Sequence, residues 1–389
     1  MTQFQAPERH LMGPGPAPVA PQVLAASAEP TLGHLDPVFI DLMNTVQQQL
    51  REVFLTNNPF TVPISAPATG AMEACLANVL EEGDHVLVCV NGVFGTRLAE
   101  MARRCRAEVT ELHFDWGRAV EPQVVAEALA KAPAKLVCWV QAETSTGVLS
   151  DSESLAKIAR DAGALTLVDC VTAIAGVPIK VDEWGLDMVY AGTQKCLSAP
   201  PGLAPITVGP RALEAIAARK TPPQSWFMDF SLLGGYWAGG GKRAYHHTAP
   251  VNAVYGLHQA LSMLQEEGLE ASWARHAANA EKLWAGLEAL GIELVVPKGE
   301  RLPPLTLLRI PAGINDADFR KYLLESHALE IGAGLGKFAG ECWRIGLMGY
   351  GSNDVAIARC LRAIADGLKH FGQTVDAAAA LEAAGIQAA

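Results

Sequence analysis

The chain has 389 residues, half of them hydrophobic, enough to bury a large core and to favour more than one domain. Its 30 Lys and Arg against 41 Asp and Glu give a formal charge of −11 at pH 7, with a pI near 5.4, which opposes binding to nucleic acid or anionic membrane surfaces. Eight scattered cysteines without a CxxC pair, no zinc-ligand constellation, no leader-like N-terminus and no bilayer-length apolar run lead us to expect a soluble, unexported, cytoplasmic protein without a metal site.

Residues 1–20 include Met12-Gly13-Pro14-Gly15-Pro16, a composition that resists helix and strand and reads as an extended arm lying on a surface, its own or a partner's. From Ile64 to about Gly209 apolar runs alternate with helix-like stretches. The candidate strands are His85 to Val90, Lys135 to Gln141, Leu165 to Cys170, Met188 to Gly192 and Ala204 to Val208. Their continuous apolarity predicts burial on both faces, and their spacing leaves room for crossover helices, so a mainly parallel α/β sheet is expected in a large domain spanning 21–267. A helix starting near Ala71 is expected to stop around Gly83. Beyond Glu267 an amphipathic segment from Ser272 to Leu290 and strand-like pieces at Ile292 to Val296 and Leu305 to Ile310 suggest a smaller α+β domain, 268–389. It ends in an alanine-rich stretch, Gly372 to Ala389, with little to anchor it, expected to be helical or frayed.

In open α/β sheets ligands sit at the carboxyl ends of strands, so polar residues that terminate apolar runs are the first to consider. Asp169 ends one run, and Lys195 follows another, 195 − 169 = 26 residues later. A lysine amine can form a Schiff base with the aldehyde of pyridoxal, and a carboxylate can keep the pyridine nitrogen protonated. Alone, Asp169 reads first as a helix cap or turn carboxylate. Gln141 to Gly147 offers hydroxyls suited to a phenolic oxygen or a phosphate, or is an ordinary polar loop. Small residues from Ser65 to Ala71 lead into a helix whose amides could approach an anion, and Phe94 follows a strand where it could stack on a flat ring. Cys170 and Cys196 adjoin the two candidates but read as buried small hydrophobes. Gly332 to Lys337 is neither a dinucleotide fingerprint nor a P-loop, because Lys337 replaces the third glycine and Phe338 stands where serine or threonine is required; it reads as a flexible turn before Arg344. Glu266, Glu267 and Glu270 read as a solvated helix face.

In order, the segments Gly13-Pro14-Gly15-Pro16, Asn91-Gly92 with Gly95, Glu143-Thr144-Ser145-Thr146-Gly147, Val168-Asp169, Gln194-Lys195, Ala199-Pro200-Pro201-Gly202, Tyr245-His246-His247-Thr248 and Arg344-Ile345-Gly346 resemble the class V, fold-type I pyridoxal phosphate aminotransferases, most closely their alanine:glyoxylate branch. The resemblance covers nearly the whole chain. It implies that Lys195 is the Schiff-base lysine and acid/base, that Asp169 holds the pyridine nitrogen, that Phe94 stacks on the ring and that Thr144 bonds its phenolic oxygen. Ala68, Thr69, Gly70 and Gln194 would contact the phosphate, with Tyr245 and Thr248 reaching it from the second subunit of a homodimer. Arg344 would grip the substrate carboxylate, and the arm at Gly15 would touch substrate. The implied reaction moves nitrogen by ping-pong half reactions between alanine or serine and glyoxylate or pyruvate. Pro67 departs from the serine common in the phosphate turn, bringing neither hydroxyl nor N–H, which leaves open an enzyme of the pyridoxamine:pyruvate type that takes the vitamin as substrate. A lyase such as a cysteine desulfurase is the remaining alternative, but no cysteine lies in a flexible Gly/Ser-rich loop.

Overall fold

In the computed structural model, which describes residues 4–237 and 243–387, seven strands form one sheet in the order Phe60–Ile64, Ala204–Val208, Met188–Tyr190, Leu165–Asp169, Leu136–Val140, His85–Val90 and Glu108–His113. The first three and the last two of the expected arm and tail residues lie outside this range. The five strands from Met188–Tyr190 to Glu108–His113 are parallel to one another, while Ala204–Val208 runs antiparallel to both of its partners, so the sheet is mixed at one end. The central strands are buried along their whole length, which requires cover on both faces. Helices Val93–Arg104 and Ser152–Asp161 pack on the strands beside them, and Ala68–Val79 packs on the antiparallel end.

Two strands escape the sequence pattern. Phe60–Ile64 carries Pro63, which is tolerated because this is an edge strand. Glu108–His113 is the opposite edge; its residues are partly exposed, so no continuous apolar run marks it. The helix expected from Ala71 begins at Ala68 and ends at Val79, with Gly83 in the following turn at φ +84°.

A second apolar cluster gathers Leu283 and Leu287 of helix Leu269–Ala289, Trp343 and Ile345 of strand Cys342–Gly346, and Ile357 to Leu368 of helix Asp354–His370. A three-stranded antiparallel sheet, Leu305–Arg309, Cys342–Gly346 and Gly332–Ala333, lies beside it. The structure corrects two expectations here and bears out two others. Ile292 to Val296 is not a strand: only Leu294 makes a bridge, to Leu308, while Ile292 and Val296 turn into apolar clusters. The glycine-rich stretch before Arg344 is ordered by pairing, Gly332 opposite Arg344, rather than a flexible turn. Glu266, Glu267 and Glu270 are exposed as expected, and Glu267 forms a two-pronged ion pair with Arg275, at 2.5 and 2.9 Å. Of the two expectations for the tail the helical one holds: Asp376 caps helix Ala377–Ala383, which buries Ala380 and Leu381 in the second cluster.

The arm does more than lie on a surface. His10–Leu11 pairs in parallel with Leu329–Glu330, Met12 joins the second cluster, and the Ala17 N–H donates to the Gln194 carbonyl at 2.8 Å. It therefore ties the second cluster to the sheet. No helix among the described residues is long and apolar enough to cross a membrane.

Candidate active site

Parallel pairing in register brings the ends of three central strands together: Val140 stands opposite Asp169, and Asp169 opposite Tyr190. Around that edge Ala68, Thr69, Phe94, Thr144, Asp169, Gln194 and Lys195 line one cavity, joined by Pro67, Arg97 and Tyr190. Seven residues singled out in the sequence thus converge from five separate segments.

Asp169 is buried, and both of its oxygens are engaged. Oδ1 accepts from the Val171 N–H at 2.9 Å and Oδ2 from the Tyr190 hydroxyl at 2.7 Å. The turn-carboxylate reading is therefore correct for one oxygen. Burial raises its pKa to about 6 against these bonds and the nearby Lys195 and Arg97 charges. Lys195 is pushed down to about 8, chiefly by burial, with Arg344 adding repulsion. Its Nζ donates to the Pro14 carbonyl of the arm, and the adjacent Gly15, at φ +113°, leaves no room for a side chain against the amine.

Glu143 organises the floor. One oxygen accepts from the Ser145 amide and hydroxyl at 3.0 and 2.6 Å, the other from the Phe94 and Gly95 amides at 3.1 and 3.2 Å. A fully buried carboxylate thus caps the helix that carries Phe94, and burial lifts its pKa to about 7. Arg344 is buried too. Its Nε donates to the Ala333 carbonyl and Nη1 to the Thr144 carbonyl, at 2.8 and 3.2 Å, and burial lowers its pKa to about 10 against the attraction of Glu143.

Pro67 is the N-cap of helix Ala68–Val79 and supplies no side-chain cap, so the first-turn amides at Ala68 and Thr69 have no side-chain acceptor. Gly70 sits in that turn without lining the cavity, packed so closely that a Cβ would meet the Ala66 side chain at 2.7 Å. Gln194 Oε1 is buried with no partner. Tyr245 and Thr248 are not brought to this cavity; both are exposed, Tyr245 near His34. The neighbouring His247 bonds Ser65 Oγ at 2.7 Å. Cys170 and Cys196 are buried outside the lining, and burial pushes the Cys196 thiol up to about 12. Among the described residues no group of three His, Cys, Asp or Glu side chains is arranged for a metal ion.

Three contributors were not singled out in the sequence: Tyr190, Arg97 and the Pro14 carbonyl. Tyr190 matters through strand register and Arg97 through one turn of helix after Phe94; the arm's carbonyl carries no residue-type signal at all.

Residues 20–342 match the family model for class V aminotransferases. The chain is 36% identical to the (S)-ureidoglycine–glyoxylate transaminase of Bacillus subtilis over 97% of this chain and 95% of that one, and 38% identical to the alanine–glyoxylate aminotransferase of Rattus norvegicus over 94% and 88%. Among solved structures it superposes on an alanine–glyoxylate aminotransferase from Nostoc sp. with a TM-score of 0.93 at 42% identity, covering 95% of this chain and 97% of that one. It also superposes on a pyridoxamine–pyruvate aminotransferase from Mesorhizobium loti, TM-score 0.91 at 26% identity, covering 96% and 95%.

The chain belongs to the class V aminotransferase family; it is an enzyme of the fold-type I architecture whose cofactor is pyridoxal phosphate. The cavity fits that group: it presents a buried carboxylate, an amine of lowered pKa, first-turn amides without a side-chain cap and an unpartnered buried amide oxygen.

Proposed function

We propose that this enzyme transfers the amino group of a small amino acid, alanine or serine, to glyoxylate, with pyruvate as the other small 2-oxo acid of the same size class. The acceptor is favoured because the relatives from Bacillus subtilis and Rattus norvegicus share glyoxylate in their names while differing in the donor. The observation that carries the reading is one cavity lined by both Lys195 and Asp169.

Pyridoxal phosphate supplies an aldehyde and an electron-accepting ring when bound. Lys195, its amine favoured in the neutral form by burial, would hold the aldehyde and would serve as the base and acid for the proton at the donor's α-carbon. Asp169, oriented by Val171 and Tyr190, would hold the ring nitrogen, and Phe94 would stack on the ring. Thr144 would bond the phenolic oxygen; Ala68, Thr69 and Gln194 would contact the phosphate, with Gly70, whose N–H donates to the Pro67 carbonyl at 2.7 Å, shaping the turn behind them. Arg344 grips the substrate carboxylate, an interaction whose removal costs on the order of 2 to 5 kcal/mol. The arm at Pro14 and Gly15 roofs the amine against water. Tyr245 and Thr248, exposed in the single chain, complete the site of the other subunit in a homodimer.

Two measurements test this. Borohydride reduction and peptide mapping should fix the cofactor on Lys195; a label elsewhere removes the assignment. Product formation from alanine, serine and (S)-ureidoglycine against glyoxylate, pyruvate and 2-oxoglutarate should peak in the alanine or serine rows with glyoxylate. Pro67 and the Mesorhizobium loti neighbour motivate the second reading, an enzyme that converts pyridoxal itself. Colourless purified protein that consumes pyridoxal when given an amino acid would establish it in place of the first. A desulfurase is disfavoured because, among the described residues, no cysteine lines the cavity.

A further inference from the structure

Pro67 deprives the phosphate turn of a hydroxyl and an amide donor, and the structure offers a replacement. Arg97 stands one turn after Phe94 in helix Val93–Arg104 and lines the cavity. Its guanidinium lies over the Phe94 ring, 4.9 Å from the centroid, and Nη1 donates to Thr69 Oγ1 at 3.2 Å. Among the described residues no carboxylate comes within ion-pair distance of it. A guanidinium has five N–H donors, and most of these remain uncommitted. Because the Thr69 oxygen accepts from Arg97, the hydroxyl's own hydrogen is free for an acceptor in the cavity.

We propose that Arg97, steadied by the Phe94 ring, is the cationic anchor of the cofactor phosphate in this chain, acting with the Thr69 hydroxyl in place of the donors that Pro67 lacks. The inference rests on the reading that pyridoxal phosphate binds in this cavity. It assigns the phosphate's charge to a residue outside the motifs that mark the site. It also makes the bare vitamin a poor substitute for the phosphorylated one, since the anchor would then face no anion.

The test is titration of cofactor-stripped full-length protein with pyridoxal phosphate and, separately, pyridoxal, followed by absorbance, with inorganic phosphate as competitor. Arg97→Met should weaken pyridoxal phosphate by about tenfold to a hundredfold, the range of a lost charge-assisted bond, while leaving pyridoxal affinity within about twofold. Inorganic phosphate should compete against pyridoxal phosphate in the wild type and much less in the variant, and Arg97→Lys should recover part of the affinity. Unchanged pyridoxal phosphate affinity in Arg97→Met overturns the proposal, as does an equal loss for both compounds, which would place the residue's effect on the ring rather than the phosphate. Wild-type protein that takes up neither compound overturns the parent reading, and the proposal with it.

Discussion

The two ends of the cavity are built differently. At the inner end, Asp169 and Tyr190 are buried beside the Lys195 amine, Glu143 is buried behind the lining, and every carboxylate oxygen is held by at least one donor. At the outer end, Thr69, Arg97 and Gln194 are partly exposed or short of partners: the helix lacks a side-chain cap, and the Gln194 oxygen is unsatisfied. Groups that perform proton chemistry need fixed positions and shifted pKa values, which burial and prior bonding provide. Groups that hold an anion can be left incomplete until it arrives, because the anion itself satisfies them. The inner end is finished by the fold and the outer end by its ligand.

The strongest way to break this contrast is at the inner end. Lys195→Ala should reduce turnover by about a thousandfold or more while the urea unfolding midpoint stays near that of wild-type apoprotein; substantial residual transamination would show that the amine is not the proton carrier. A second measurement sharpens the same end through pH. The neutral amine is the nucleophile, and its pKa is lowered to about 8, so capture of pyridoxal by apoprotein should accelerate about tenfold per pH unit below that value and level off above it. A rate still rising steeply beyond pH 10 would mean that burial does not tune Lys195. The smallest effect belongs to the outer end. Thr69→Val, which removes one neutral donor, should weaken pyridoxal phosphate by about threefold to tenfold and leave pyridoxal untouched. A loss equal for both ligands would erase the distinction between the two ends.

The contrast also explains what could be read beforehand. Central strands such as Leu136–Val140 and Leu165–Asp169 announce themselves because burial on both faces demands unbroken apolar residues. Edge strands escape that demand, so Glu108–His113 with its charges and Phe60–Ile64 with its proline stayed hidden. Ile292 to Val296 misleads for the opposite reason, since its apolar residues fill gaps between clusters without pairing as a strand. Asp169 and Lys195 were legible because each follows such a strand. Tyr190 reaches Asp169 only through the register of two strands, and Arg97 reaches Thr69 across two helices, relations that no single segment records. The tail looked unanchored because alanine is a weak hydrophobe singly; its helix presents Ala380 and Leu381 together to a surface formed elsewhere in the chain.

The arm has a mechanical consequence. It is fastened at Leu329 and Glu330 on one side and at Gln194 on the other, and between those fastenings it passes directly over the Lys195 amine. Any hinge between the C-terminal cluster and the sheet is therefore geared to the roof of the site. A rotation of one body against the other would have to carry with it the segment that lies across the reacting nitrogen.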